Sequence, residues 1–226
     1  MTTMELTRDG DVHVLTLTNG AEENRFTADV VHEYEAVLDT LEAYEGSTAL
    51  VVTSSDPKFW SNGINLQWIT TQPPDYFPGF GRMLDHLFLR FALLNMPTVG
   101  CLTGHTYAGG ALLAATLDFR FMRADRGFFC YPEVDIRIPF TPIMHQILDL
   151  LPDRLAATEL LLTGRRIGGL EAQAKQIVTA AYPAGELWDK TMEMARMLAL
   201  KDRQTYTTIK HGLRQILVNT WSRWQD

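Results

Sequence analysis

An α/β fold in a single domain, closing on a helical C-terminal region, is predicted by three features of this 226-residue chain. Short apolar runs of strand character alternate with amphipathic helical runs, turn residues mark each change of period, and beyond about residue 141 only the helical period remains. The length suits one domain with its own core, since domains commonly reach about 250 residues. Residues 1–150, approximately, are expected to form the α/β core and 151–226 the helical region.

Residues 4–8 and 12–18 read as a hairpin about the turn Asp9-Gly10-Asp11, the second strand alternating Val12, Val14, Leu15 and Leu17 with polar residues. Thr27 is placed to cap a helix whose apolar positions Val30, Tyr34, Val37, Leu38 and Leu41 follow the 3.6 period. Residues 48–53 form a short apolar strand that ends in the breaker cluster Ser54-Ser55-Asp56-Pro57. Pro73, Pro74, Pro78, Gly79 and Gly81 predict a loop, followed by a helix with the stripe Met83, Leu84, Leu87, Phe88, Phe91 and Leu94, stopped by Pro97. A strand over 98–102, a helix over 108–116 and a strand over 119–122 continue the alternation. Helices over 141–150, 154–161, 170–175, 186–199 and 203–218 complete the chain.

A formal net charge of −7 argues against nucleic acid as a partner, because phosphate-backbone binding draws on clustered Lys and Arg. No apolar run approaches the ~20 residues that cross a bilayer, and the N-terminal residues lack a basic segment followed by an apolar run. The last residues, Trp224-Gln225-Asp226, are not a peroxisomal tripeptide signal, so a cytoplasmic location is expected. Cys101 and Cys130 lie in apolar strand-like runs, as buried thiols of a reducing compartment do. The six histidines have no metal-ligand spacing, and no metal is expected.

Three segments carry chemistry. In Ser61-Asn62-Gly63-Ile64-Asn65, Gly63 permits a sharp turn or a close approach to a ligand. In Gly104-His105-Thr106-Tyr107-Ala108-Gly109-Gly110, the glycines open a helix at the turn where backbone N–H groups lack intrahelical partners. Each also reads, taken alone, as a connection or a packing device. The third is Tyr131-Pro132-Glu133-Val134-Asp135, which presents a carboxylate.

In this order the three segments resemble the crotonase family, the enoyl-CoA hydratases and isomerases. The resemblance runs from the opening hairpin to Leu162-Thr163-Gly164-Arg165-Arg166 and is densest over 58–135. It implies a ClpP/crotonase-like superhelix of ββα turns with a helical C-terminal trimerisation region. It further implies an oxyanion hole from the N–H groups of Ile64 and Gly109, with Glu133 as the proton carrier. Losing one such donor typically costs about 2.7–4 kcal/mol of transition-state stabilisation. Lys58, Asn62, Gly63, Arg25 and Gly110 are the implied substrate and coenzyme A contacts, with Lys210 a weaker one. Trp68, Phe77, Phe80, Met83, Leu84 and Leu87 are available for an acyl slot.

Hydratases of the family use a second glutamate on the helix after the glycine turn, and that position is Leu112 here. Leucine cannot activate water. One carboxylate suits isomerisation of a 3-enoyl-CoA to a 2-enoyl-CoA, and the chain is most similar to the single-glutamate delta3,delta2-enoyl-CoA isomerases of fatty-acid degradation. Its alternatives are an enoyl-CoA hydratase, another thioester enzyme of this fold, or a non-catalytic CoA-binding or assembly subunit. No cofactor is expected beyond the coenzyme A of the substrate. A homotrimer or a dimer of trimers is implied, with Trp188, Met192, Leu198, Ile209, Leu213 and Ile216 among the residues available for subunit contacts. Asn65, Arg137 and Gln176 depart from the family's Asp, Gly and Gly, and an Arg137 close to Glu133 would lower the carboxyl's pKa.

Overall fold

The computed structural model describes residues 2–225; the sequence reading of the final residue, Asp226, lies outside them. The hairpin of β1 (Met4–Asp9) and β2 (Val12–Leu17) leads through α1 (Ala28–Ala43) to β3 (Ala49–Ser54). Thr27 caps α1, its side chain accepting from Val30 N. After β4 (Phe59–Ser61) and α2 (Leu66–Ile69), the long α3 (Tyr76–Leu93) returns the chain to β5 (Thr98–Leu102). Then come β6 (His105–Tyr107), α4 (Gly109–Thr116), β7 (Phe119–Arg123), β8 (Phe129–Cys130) and α5 (Glu133–Ile136). The remainder is α6 (Pro142–Leu148), α7 (Arg154–Thr163), α8 (Gly169–Ala174), β9 (Ala180–Tyr182), α9 (Ala184–Ala199), α10 (Arg203–Leu213) and α11 (Gln215–Gln225).

Six strands form the main sheet in the order β1-β2-β3-β5-β7-β9, parallel except for the opening hairpin. Its inner strands β2, β3 and β5 are buried on both faces, as strands covered on both sides are, while the edge strand β1 is largely exposed. Leu15, Leu17, Leu50 and Val52 face the larger core with α1, α3 and α4, while Val12, Val14, Ala49 and Val51 face α9 through Leu187, Met192 and Leu198. A second, three-stranded parallel sheet runs β4-β6-β8.

Four expectations need correcting. The helix expected after the Pro73–Gly81 stretch begins at Tyr76, because Pro78 falls in its first turn, where a missing N–H costs nothing. The division near residue 150 is not a boundary, since β9 pairs with β7 and α9 covers the main sheet. The single helix over 203–218 is two helices, interrupted at Arg214. Met192 and Leu198 belong to the second core and are not free for subunit contacts, whereas Trp188, Ile209, Leu213 and Ile216 are exposed.

Candidate active site

The three short parallel strands of the second sheet end at one edge, and that edge carries the three motif segments. In register, β4 pairs with β6 at Phe59–His105, and β6 pairs with β8 at Thr106–Phe129 and Tyr107–Cys130. The segments leaving the three strands therefore lie side by side: Asn62 to Ile64 after β4, Ala108 and Gly109 after β6, Tyr131 to Glu133 after β8. Ligand sites of parallel sheets form at such carboxyl ends. Here they border a cavity of about 370 Å³ lined by Ile64, Gly109, Leu112 and Glu133.

Phe26 fixes the direction of the Ile64 amide. Phe26 N donates to Gly63 O at 2.7 Å, and Asn65 N donates to Phe26 O at 3.0 Å. In extended backbone successive groups alternate in direction, so the N–H of Ile64 points away from Phe26. Gly63, at φ +74°, sits so close to the second turn that a Cβ would lie 2.6 Å from Gly109 N. Gly110 is pressed against β4, where a Cβ would lie 2.4 Å from Ser61 O. Gly63 and Gly110 thus permit the approach of the two turns and do not line the cavity, contrary to their expected role as substrate contacts.

Gly109 is the first residue of α4, so its N–H has no intrahelical acceptor. Ala108 before it adopts φ 51° and ψ −126°, a conformation that costs a residue with a Cβ about 1–3 kcal/mol. It is held there by hydrogen bonds on both sides, Ala108 N donating to Cys130 O at 3.0 Å and Leu112 N donating to Ala108 O at 3.0 Å. This strain aims the Gly109 amide.

Glu133 opens α5 instead of ending a strand, and it is buried, at 7% exposure. Its Oε2 is buried without a hydrogen-bond partner among the described residues. Burial pushes the carboxyl up to about 7, with only its own backbone N–H acting in the opposite sense. Of its apolar sequence neighbours, Phe128 and Val134 are exposed, whereas Ile136 lines the cavity beside it. Leu112, Ile138, Phe140 and Met144 complete its apolar surroundings in the cavity wall.

Arg137 is exposed and makes no ion pair with Glu133; it stands in the left-handed region at φ 60° as the C-cap of α5. Gln176 has φ 55°. Both stand where the resemblance implies a glycine, in a backbone conformation that favours one. Asn65 caps α2 by accepting from Trp68 N, a task an Asp performs equally well.

Arg25 and Asn62 line the cavity as expected, and sequence reasoning missed a third polar residue beside them, Glu23. Asn62 Nδ2 donates to Glu23 Oε2 at 2.9 Å, and Arg25 pairs with Glu22 at 3.0 Å and approaches Glu23 at 3.9 Å. Lys58 is exposed, its Nζ over the Phe59 ring at 4.7 Å, outside the residues lining the cavity. Lys210 is buried and bonded to Asp118 and Met96 O, which removes it as a coenzyme contact. Of the acyl-slot candidates only Phe77 and Leu84 reach the cavity; Phe80 and Leu87 are core. Tyr107, Thr141 and Met144 also line it, and their pattern is indistinguishable from core residues in sequence.

The enoyl-CoA hydratase/isomerase family profile matches residues 7–222. Among curated proteins, the chain is 32% identical over 216 residues to enoyl-CoA delta isomerase 3 of Arabidopsis thaliana, covering 92% of this chain and 90% of the relative. It is also 32% identical over 220 residues to the peroxisomal enoyl-CoA delta isomerase 2 of the same plant, with the same coverage. Among solved structures, an enoyl-CoA hydratase/isomerase family protein from Pseudomonas syringae superposes with a TM-score of 0.89 over 98% of this chain and 94% of its own. At 21% identity that likeness shows the fold alone.

Proposed function

The chain belongs to the enoyl-CoA hydratase/isomerase family, and we propose that within it the protein is an enoyl-CoA delta isomerase acting in fatty-acid degradation. The observation that carries this reading is the buried, unpartnered Glu133 carboxylate opposite Leu112 in an apolar cavity bordered by two free backbone amides. The amides of Ile64 and Gly109 hold the thioester oxygen. Glu133 Oε2 removes a proton from C2 of the 3-enoyl chain, and the electrons of that C–H bond move into the enolate whose charge the amides stabilise. Collapse of the enolate through the C3–C4 double bond takes the same proton back at C4 and leaves the double bond between C2 and C3. No atom is gained or lost, and the reaction needs no cofactor or metal beyond the coenzyme A of the substrate. A carboxyl near pH 7 is matched to taking and returning a proton at neutral pH.

Hydration is the second reading, because Glu23 gives the cavity another carboxylate. Its occupation by Asn62 and its proximity to Arg25 leave it poorly placed to activate water. Purified protein incubated with a 3-enoyl-CoA and, separately, a 2-enoyl-CoA distinguishes the readings by mass. Isomerisation leaves the substrate mass unchanged and conjugates the double bond, hydration adds one water, and tight binding with neither product identifies a non-catalytic subunit.

Arg25 and Asn62 are assigned to the coenzyme side of the cavity. The assembly is assigned as a homotrimer or dimer of trimers, supported by the exposed Ile209, Leu213 and Ile216 on the C-terminal helices. No helix among the described residues is long and apolar enough to cross a membrane. The free thiols of Cys101 and Cys130 are buried, which suits a reducing compartment, and the cytoplasm is our assignment.

A further inference from the structure

We propose that Asp85 is a positioning residue that latches the two walls at the acyl-tail end of the cavity and so sets which chain lengths the site accepts; this rests on the acyl-CoA reading above. One wall is α3, which contributes Phe77, Leu84 and Phe88; the other is the start of α6, which contributes Thr141 and Met144. Asp85 follows Leu84 on α3 and is buried, at 5% exposure, among apolar helix neighbours.

A carboxyl in such a place is costly, and burial pushes it up to about 6. Asp118, another buried carboxylate, is ion-paired with Lys210 and Arg214, whereas Asp85 has no cation within pairing distance among the described residues. Its partner is instead the hydroxyl of Thr141, which donates to Asp85 Oδ1 at 2.6 Å. The same hydroxyl accepts from Met144 N at 3.1 Å as the cap of α6.

The bond shapes the cavity in two ways. The one hydrogen of Thr141 is committed to Asp85, so the hydroxyl offers no free donor to a ligand, and this wall suits methylenes. The bond is also the side-chain hydrogen bond that ties α3 to the start of α6, so the gap between Leu84 and Met144 depends on it. Loosening the latch lets the gap widen without touching Glu133 or the two amides. D85N still accepts from Thr141, whereas D85L and T141V cannot form the bond.

The test compares the parent with D85N, D85L and T141V, measuring kcat/KM for short-chain and long-chain 3-enoyl-CoA thioesters. The expected result is a change of about fivefold or more in the long-to-short ratio for D85L and T141V, with kcat of D85L on the short substrate within about twofold of the parent and D85N close to the parent. A ratio that stays constant while all chain lengths fall together overturns the proposal, as does D85N behaving like D85L. T141V keeps the test open if D85L does not fold. Should the parent not turn over 3-enoyl thioesters, the isomerase reading fails by itself. Calorimetric affinities for saturated acyl-CoA esters of two lengths then decide the latch: a shifted ratio of affinities in T141V supports it, and an unchanged ratio overturns it.

Discussion

Glu133 holds its carboxyl inside an apolar wall, and the energetic consequence is measurable. Because the folded carboxyl binds its proton more tightly than the unfolded one, folding takes up a proton between pH 4.5 and about 7, and stability falls as pH rises through that window. The variant E133Q escapes this. Its advantage over the parent in chemical denaturation is expected to be absent below the window and to level off above it at no more than about 3.5 kcal/mol, at roughly 1.4 kcal/mol per unit of pKa. The rise of kcat/KM with pH in the parent is expected to centre near the same value. A second test at this scale is Gly63→Ala, whose Cβ would meet Gly109 N at 2.6 Å. It is expected to push the oxyanion turn aside and lower kcat by about a hundredfold or more, the scale of losing one donor, while acyl-CoA affinity read by calorimetry changes far less. That Glu133, Ile64 and Gly109 meet at one cavity was legible in sequence because each sits in a motif whose order is itself informative. Lys210 was not placed correctly, since a cation's sequence neighbours do not say whether it reaches the surface or a buried partner.

At the scale of elements, α4 is the part on which the amides depend. All eight of its residues are buried and only Thr116 carries a polar side chain, so packing in the larger core holds its length and polar anchors fix its carboxyl end. Arg120 Nη1 donates to Leu117 O at 2.7 Å and Arg120 Nε to Ile177 O at 2.9 Å, while Arg214 Nη1 donates to Thr116 O at 2.9 Å. These cations at the carboxyl end also complement the helix dipole whose positive end faces the cavity. Replacing Arg120 with Met leaves at least two buried carbonyls without their donor, at about 1–3 kcal/mol each. Urea denaturation is therefore expected to show a loss of roughly 2–6 kcal/mol. The longer elements followed their periodic patterns closely in sequence. The second sheet did not, because strands of two or three residues are too short for a period of two to register, and only parallel pairing with one another makes them strands.

Over the whole molecule, the main sheet and its two cores form a rigid support, and the cavity opens beside the smaller sheet. The α/β alternation was legible because the longer strands are short apolar runs set between helices of 3.6 period. The contribution of β9 was hidden in Ala180-Ala181-Tyr182, which has too little apolar character to stand out from the helices around it. The exposed Ile209 and Leu213 lie four residues apart on α10, one face of a helix, and are the proposed subunit contact. The double variant I209D/L213D is expected to sediment as a monomer while the parent sediments as a trimer or hexamer.

The proton shuttle itself is tested most directly by following formation of the conjugated 2-enoyl thioester from a 3-enoyl-CoA with the parent and with E133Q side by side. The parent is expected to convert the substrate, and E133Q to do so at least about a hundredfold more slowly at equal substrate affinity. An E133Q protein that retains turnover within tenfold of the parent would contradict Glu133 as the carrier of the proton.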